Sequence, residues 1–479
     1  MPATVLTRRE WLARSCLVTG SLARKGLASQ RRLPNLVLIL ADDLGYGDLS
    51  SYGAPDIRTP AIDSIGTQGI RFTHCYANAP ECTPTRAALL TGRYQQRVGG
   101  LECAIGVGNV GRYNEAVWLQ QRGELGLPAS EWTISRILKT HGYATACVGK
   151  WHLGYLPKFW PDKHGFDEFF GILGGNADYF RHVEANGQKV LYHDGKQVDR
   201  DGYLTDLIAE HAIHWLRRRK AEPFFLYLAF TAPHTPVQAP EDRDKPVDES
   251  NREKGDRATY ARMVERMDQM VGAVLEQLDR MGAAENTLVV FLSDNGGYVL
   301  SRNEPFRGRK SQLWEGGIRV PALMRWPARF PQGRICEQVI ITMDLLPTFL
   351  AAAGLAAPRG VKFDGVDITP VLMGAREPFP RKLFWRYKRA EVCRKAALDG
   401  SLKYLWNNGE EELYDLQTDP REACDLKDRL PEILKSMRLA VEAWEREVQA
   451  PRLKAFRSTA CKAHQAVSFR VSRRVGRQR

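Results

Sequence analysis

No stretch of about 18 apolar residues occurs in the 479-residue chain, so no membrane-spanning helix is expected. No C-x-x-C pair occurs among its nine cysteines, Cys16, Cys75, Cys82, Cys103, Cys147, Cys336, Cys393, Cys424 and Cys461, and their spacing is irregular. In a chain this long, that argues against a disulfide scaffold and for mostly buried thiols. Internal repeats are also absent. Acidic residues are nearly missing from both ends. Residues 1–33 carry seven Arg/Lys against Glu10 alone, a surplus of +6, and residues 451–479 carry nine Arg/Lys and no acid, a surplus of +9. The formal charge of +13 therefore leaves residues 34–450 at −2. A basic surplus confined to tails of unstructured character gives no basic face for a nucleic acid, and no such partner is expected.

What is present fits a large globular chain: 43% of residues are hydrophobic and 26% charged, enough for an extensive core and more than one folding unit. Apolar strand candidates alternate with helix candidates. Leu36–Ala41, Tyr143–Val148, Phe224–Phe230 and Thr287–Leu292 read as buried strands. Thr59-Pro60 starts a helix, with Thr59 as its cap; Tyr260 to Met281 repeats apolar residues at helical spacing; and Leu345–Ala353 is a helix stopped by Gly354. This pattern predicts an α/β fold, with a large, mixed but mostly parallel sheet sandwiched by helices. From about Ala375 the pattern changes to short, turn-separated strands (Leu383–Tyr387, Ala396–Leu398, Tyr404–Trp406, Glu412–Tyr414) and then a helix over Leu430–Val448. A smaller C-terminal antiparallel-sheet domain with one helix is expected there. The division is a basic N-terminal segment 1–33, a large α/β domain 34–375, a small α+β domain 376–450 and a basic tail 451–479.

The four main strands run into polar residues: Asp42-Asp43, Lys150-Trp151-His152, Thr231 to His234, and Asp294-Asn295-Gly296. Taken singly, each is ordinary turn or cap chemistry. Their recurrence at equivalent strand ends, where α/β sheets bind ligands, points to one convergent site. Asp42, Asp43, Asp294 and Asn295 offer only oxygen donors, which favours Ca2+ or Mg2+ over zinc. Lys150, His152 and His234 offer cations or protons, so an anionic substrate is expected.

Residues 82–93 read Cys-Thr-Pro-Thr-Arg-Ala-Ala-Leu-Leu-Thr-Gly-Arg, with Pro84 suited to a first helical turn and Gly92 to its end. Cys82 would then lie at a helix N-terminus, where free amides favour an anion, with Arg86 one turn on. This C-x-P-x-R segment with its T-G-R ending resembles the signature of the formylglycine-dependent, arylsulfatase-like sulfatase family. The likeness extends over most of residues 34–425. It includes Asn35–Asp48, Gly149–Gly154, Pro233–Pro236, Ser293–Gly296, Gly308–Pro321, Glu412–Leu416 and Asp419-Pro420. It departs at Arg309-Lys310-Ser311, where the family often has Gly beside the Lys.

The resemblance implies a sulfuric ester hydrolase of the alkaline phosphatase-like superfamily. Cys82 would be oxidised to 3-oxoalanine (formylglycine) by a formylglycine-generating enzyme and hydrated to a geminal diol. One hydroxyl would attack sulfur, and the other would drive sulfate release. Asp42, Asp43, Cys82, Asp294 and Asn295 would hold one Ca2+, with Mg2+ the second choice. Arg86 would hold residue 82, Lys150 and Lys310 would bind sulfate oxygens, His234 would protonate the leaving oxygen, and His152 would start sulfate release. Exchange of the two histidine roles stays open.

The substrate implied is a sulfated small molecule or glycan. Thr7-Arg8-Arg9-Glu10-Trp11-Leu12 resembles a bacterial twin-arginine export signal, implying a periplasmic or extracellular location, although Arg24 and Lys25 interrupt the short apolar stretch behind it. Rival readings are a phosphodiester or phosphonate monoester hydrolase on the same fold and a decayed, non-catalytic binding protein. Gly106–Gly111 matches G-x-G-x-x-G but follows no convincing strand. Residues 94–128 read instead as a long loop at the site's rim. His211 and His214 are three apart on a helix, without a third zinc ligand, and partial burial beside Trp215 is the expected reading. Tyr179, His182 and His193 lie in segments able to reach a leaving group, though surface or packing roles suit each better.

Overall fold

The computed structural model describes residues 32–456 apart from 221 and 246. The export-like stretch around Arg8-Arg9, Cys16 and Cys461 lie outside the described residues. The large sheet contains β1 (Asn35–Ala41), β2 (Ile70–Tyr76), β3 (Ala144–Lys150), β4 (Glu168–Ile172), β5 (Leu191–His193), β6 (Lys196–Gln197), β7 (Phe224–Ala229), β8 (Thr287–Ser293), β9 (Arg319–Arg325), β10 (Arg334–Cys336) and β11 (Ile340–Ile341). Its order is β10-β2-β9-β8-β1-β7-β3-β4-β5-β6, with β11 also on β2. The centre, β8-β1-β7-β3-β4, is parallel, while β9 and β5 join it antiparallel. The mixed, mostly parallel sheet is the one the sequence implies.

Strand β1 shows why its sequence is a continuous apolar run rather than an alternation. Leu36, Leu38 and Leu40 enter the core on one face, and Val37, Ile39 and Ala41 enter the core on the other. Helices α1 (Pro60–Thr67), α2 (Cys82–Thr91), α3 (Ile134–Thr140), α4 (Leu204–Arg217), α5 (Arg257–Arg280) and α6 (Leu345–Ala352) cover both faces. Helices α2, α3 and α6 pack into one core, and α1, α4 and α5 into the other. The expected cap at Thr59 is not made. Its hydroxyl instead donates to Asp63 Oδ1 (3.2 Å) and accepts from the amide of Ser50 (2.9 Å), because the preceding loop folds back onto it.

Residues 94–128 are not a simple rim loop. They contain two short helices, Gln95–Val98 and Asn114–Gln121, and bury Leu101, Cys103 and Ile105. Within the glycine motif, Gly106 and Val110 bond to each other as a small hairpin, and no strand feeds it. The seven described cysteines are all free, and five of them are buried.

The C-terminal sheet is antiparallel, in the order β12 (Lys382–Arg389), β13 (Val392–Asp399), β14 (Leu402–Asn407), β15 (Glu410–Asp415), with α7 (Pro431–Glu447) against it. Alternation decides its two faces. Ala397, Tyr404 and Leu413 meet Met437 and Val441 of α7, whereas Trp385, Ala396, Leu398 and Leu405 meet Tyr76, Ala88 and Ile318 of the large unit. Beyond α7 the chain docks again: Arg452 Nη1 donates to the carbonyls of Glu124 (3.1 Å) and Gly126 (3.2 Å).

A buried ion cluster joins the two units. Lys403 on β14 is fully buried and lies 2.8 Å from both Glu315 and Glu422. Burial raises the Glu422 carboxyl to about 7 against the pull of Lys403. Glu315 is held below its ordinary value because Lys403 and Arg319 outweigh its burial. Replacing Lys403 by Ala strands two buried carboxyls, and the expected loss is about 3–5 kcal/mol in urea unfolding. Glu422→Gln, which copies the protonated form, should cost clearly less.

Candidate active site

Each parallel strand delivers its polar residues at its carboxyl end. Asp42 and Asp43 follow β1; Lys150 is the last residue of β3, with His152 two positions on; His234 follows β7; and Asp294-Asn295 follow β8. Helix α2 enters the same space with Cys82 at its first position, and Gly92 ends it in the left-handed conformation (φ 64°). Lys310 arrives on the loop between β8 and β9. Asp42, Asp43, Cys82, Arg86, Lys150, His152, His234, Asp294, Asn295 and Lys310 are thus brought toward one place, whereas His182, His193, His211 and His214 lie apart from it.

The site is held by paired buried charges. Arg86 donates through Nε (3.0 Å) and Nη2 (2.8 Å) to Asp294 Oδ2, and through Nη1 to the carbonyl of Lys150 (2.9 Å). Lys150 Nζ donates to Asp42 Oδ2 at 2.5 Å, and Lys310 Nζ donates to Asp43 Oδ2 at 2.7 Å and to His234 Nε2 at 3.1 Å. Asp42, Asp294, Asn295, Arg86 and Lys150 are fully buried, while His234 and Lys310 each keep 11% of the side chain exposed. The open side of the site is therefore at His234 and Lys310.

The acids respond to these partners differently. Burial pushes the Asp42 carboxyl up to about 8, with Lys150 and Arg86 pulling the other way and Asp294 adding to the rise. Asp43 is buried too, but Lys310 and His234 more than offset that and hold it below the carboxylate range. Ligand atoms of Asp42, Cys82 and Asp294 lie within 4.8 Å of one another, and the same limit holds for Asp42, Asp43 and His234. Asn295 Nδ2 donates to Asp43 Oδ1 (2.8 Å), so its Oδ1 points elsewhere. Asn295 Oδ1 and Asp42 Oδ1 are buried without a hydrogen-bond partner among the described residues. Buried acceptors without donors are costly, and a hard divalent cation would satisfy both. The donor set fits the metal that the sequence implies.

The two histidines differ in hydrogen bonding. His152 is buried; its Nε2 meets the Ile105 carbonyl at 2.9 Å, which fixes the hydrogen there because a carbonyl only accepts. Its Nδ1 has no partner among the described residues. Burial and Lys150 keep this ring well below the ordinary histidine pKa, hence neutral. The His152 carbonyl is tied to Thr83, next to Cys82, at 3.0 Å. His234 is pushed down to about 3 by burial and then by Lys310, with Asp43 opposing. Asp43 (φ 65°), His152 (φ 55°) and Ser311 (φ 69°), beside Lys310, are all left-handed without being glycine. Such strain is concentrated at sites where side-chain direction matters more than backbone ease.

Several supporting residues carry no motif. Glu81, just before Cys82, is buried and accepts from the Ala104 amide (2.7 Å), Ser311 (2.6 Å), Tyr387 (2.8 Å) and Arg389 (2.8 Å). The small domain thereby reaches the helix start that bears Cys82. Only the adjacency of an acid to Cys82 hinted at this. Tyr179 is buried and donates to the carbonyls of Thr231 and His234, both at 2.9 Å, steadying the His234 loop. His182 bonds the Gly202 carbonyl (3.1 Å). His211 does have acidic and histidine neighbours, Glu168 at 2.8 Å and His193, which the sequence reading missed; it stacks on Phe170 rather than Trp215. Arg218 already occupies Glu168, and His214 is exposed, so the His211/His214 zinc pair does not form.

A family model described as Sulfatase matches residues 34–355, and one described as N-sulphoglucosamine sulphohydrolase, C-terminal, matches residues 308–446. The chain is 35% identical over 419 residues to N-acetylgalactosamine-6-sulfatase of Canis lupus familiaris, covering 83% of this chain and 76% of the relative. It is 34% identical over 441 residues to steryl-sulfatase of Mus musculus, covering 75% and 68%. Among solved structures it is similar to Ps i-CgsB in complex with k-i-k-neocarrahexaose, with TM-score 0.77, 34% identity, and coverage of 88% of this chain and 94% of that one. A second, at TM-score 0.67 and 22% identity, covering 87% and 98%, is described with its substrate D-glucosamine-2-N,6-O-disulfate and supports the fold alone. The two curated relatives are both named as sulfatases, so the phosphodiester or phosphonate alternative is not favoured. A strand-end pocket of acids and cations around Cys82, in a chain whose length is matched by these models, belongs to the sulfatase family and makes this protein a sulfuric ester hydrolase.

Proposed function

We propose that Cys82, oxidised to formylglycine by a formylglycine-generating enzyme, is the nucleophile position of a calcium-dependent sulfatase acting on sulfated carbohydrate. The observation that carries this is the nearness of Cys82 to Asp42 and Asp294 at the first position of α2. Burial raises the Cys82 thiol above its ordinary value despite Lys150 and Lys310, so an unmodified side chain is a poor thiolate. A hydrated aldehyde at that point needs no thiolate. Catalysis is assigned to the unit 34–375, with the unit 376–450 bracing it through Glu81 and Glu315.

Asp42, Asp43, Asp294, Asn295 and residue 82 would hold Ca2+, which when bound supplies a Lewis acid for sulfate oxygens and lowers the pKa of a coordinated hydroxyl. Arg86 stays on Asp294 and orients α2 against β8. Lys150 and Lys310, which pair with Asp42 and Asp43, are placed to turn their ammonium groups to a sulfate arriving at the open side. His234 is assigned the proton for the leaving oxygen, which its ring would carry once Lys310 turns away to the sulfate and Asp43 is left to favour the charged form. His152 is assigned the proton removal that frees sulfate, because Nδ1 is its open nitrogen and the ring is neutral. The carbohydrate reading draws on the oligosaccharide complex of Ps i-CgsB and on the relative named for N-acetylgalactosamine 6-sulfate. Export to a bacterial periplasm or exterior is proposed from the twin-arginine-like segment. No helix among the described residues is long and apolar enough to cross a membrane.

Several measurements test this reading. Protein co-produced with a formylglycine-generating enzyme should carry an aldehyde at residue 82 by peptide mass analysis, and Cys82→Ala should lose aryl sulfate turnover while melting like the parent. Asp294→Asn should lower calcium per chain, measured by elemental analysis, and turnover by at least about a hundred-fold; full activity with no bound metal would refute the cation site. His234→Ala and His152→Ala should each cost about 10²–10⁴ in kcat. Because burial depresses His152, the acid limb of kcat should lie below the ordinary histidine pKa, activity being lost only as the ring takes up a proton at lower pH.

A further inference from the structure

Away from the reacting centre, three metal-binding side chains meet near the edge of the large sheet and have no role in the scheme above. They come from separate elements: Glu168 is the first residue of β4, His193 the last of β5, and His211 lies in α4. One ring nitrogen of each histidine and one Glu168 oxygen lie within 4.8 Å of one another. On β4 the partner of Lys150 is Ile172, four residues beyond Glu168, so the cluster sits ~13 Å back along the strand from the ends that carry the catalytic residues. Local folding sets each member. Asp194-Gly195 forms the two-residue turn between β5 and β6, and both residues are left-handed (φ 45° and 78°), as such a turn requires. Asp194 is bonded twice to Phe169 of β4: its Oδ1 accepts from the Phe169 amide (2.8 Å) and its own amide donates to the Phe169 carbonyl (2.9 Å). His193, just before the turn, is thereby held beside Glu168. The His211 ring stacks on Phe170, with centroids 4.3 Å apart and planes 9° apart, which aims Nε2 at Glu168 Oε1, 2.8 Å away.

The spacing leaves His193 outside the ion-pair network. Its Nε2 is 4.0 Å from Glu168 Oε1 and 3.5 Å from Asp194 Oδ2, too far for a good hydrogen bond to either. A metal ion at the centre would join all three side chains. Zn2+ held tetrahedrally at about 2.0–2.1 Å from each donor sets the donor atoms roughly 3.3 Å apart. The two histidine distances to Glu168 Oε1, 2.8 Å and 4.0 Å, fall on either side of that, so side-chain rotations alone can close the site. Two imidazoles and one carboxylate select zinc over calcium or magnesium, which take all-oxygen sets. The way in is on the His193 side, where 44% of the side chain is exposed against 11% for His211 and 13% for Glu168, and a water would fill the fourth position there. Arg218 also holds Glu168, its Nη2 lying 2.6 Å from Oε2 and 2.7 Å from Oε1. That side chain is 44% exposed at the end of α4, and by keeping Oε2 alone it leaves Oε1 to the ion. Its charge lowers the affinity without closing the site.

We propose that Glu168, His193 and His211 form a structural Zn2+ site that ties the β5–β6 hairpin to α4. It is independent of the reaction proposed above. Strand alternation puts His193 and Tyr192 on opposite faces of β5, and Tyr192 lines a cavity of about 360 Å³ with Tyr155 and Glu184. The ion would therefore fix one wall of that cavity from behind. The test titrates Zn2+ by calorimetry into the calcium-saturated parent and into His193→Ala, Glu168→Gln and His214→Ala, and follows melting with and without the ion. His193 is exposed, so its replacement by Ala removes no core packing; His214, exposed and three residues from His211, is the control. Expected is one Zn2+ per chain in the parent and in His214→Ala, with affinity at least about ten-fold weaker in His193→Ala and Glu168→Gln. The ion should raise Tm by a few degrees in the two proteins that bind it and leave the other two unchanged. Aryl sulfate turnover of His193→Ala should stay within about two-fold of the parent. No Zn2+ uptake by the parent, or equal affinity in all four proteins, would overturn the site, and so would loss of binding in His214→Ala to the same extent as in His193→Ala.

Discussion

Three carboxylates buried together can share a pocket only if their charge is compensated. Asp42, Asp43 and Asp294 are met one for one by Lys150, Lys310 and Arg86. The pairings are not equivalent. Arg86 is locked by three hydrogen bonds to Asp294 and the Lys150 carbonyl, a forked geometry suited to a permanent strut. Both lysines are on flexible stems: Lys150 bonds Asp42 alone, and Lys310, at the open side, bonds Asp43 and His234. On the proposed mechanism, that asymmetry separates a structural cation, Arg86, from two lysines that would change partners when sulfate enters.

The small C-terminal domain is part of the same electrostatic arrangement. Tyr387 and Arg389 on β12 reach Glu81, at the mouth of α2, while Lys403 on β14 neutralises Glu315. Trp385 adds a hydrogen bond to the Ala77 carbonyl (2.8 Å), just upstream. The segment leading into Cys82 is therefore clamped between the two sheets. On the proposed mechanism, rigid placement of residue 82 matters because proximity to the acids, rather than thiol reactivity, would define its chemistry.

Much of this was legible in the sequence, and what escaped it has a common physical origin. Continuous apolar runs marked the parallel strands, because both faces of β1 are buried. Polar residues at their ends marked the site, because parallel strands place all their carboxyl ends on one edge. The Thr59 cap was misplaced because a folded-back loop competed for its hydroxyl. The helices within residues 94–128 are too short and weakly periodic to be distinguished locally from a rim loop, although Ile105 lies against His152. The neighbours of His211 escaped because Glu168 and His193 come from other strands.

By itself the sequence determined the strand and helix types, the oxygen-rich donor set and the identity of the helix start that bears Cys82, since each depends on residues close together in the chain. Tertiary structure decided which charge neutralises which, as with Arg86 and Asp294, 208 residues apart. It also decided which nitrogen of His152 is left open, through the Ile105 carbonyl, and which buried groups near it lack partners. Those properties depend on the crossing of distant segments and on the exclusion of water between them, and no local pattern of residues encodes either.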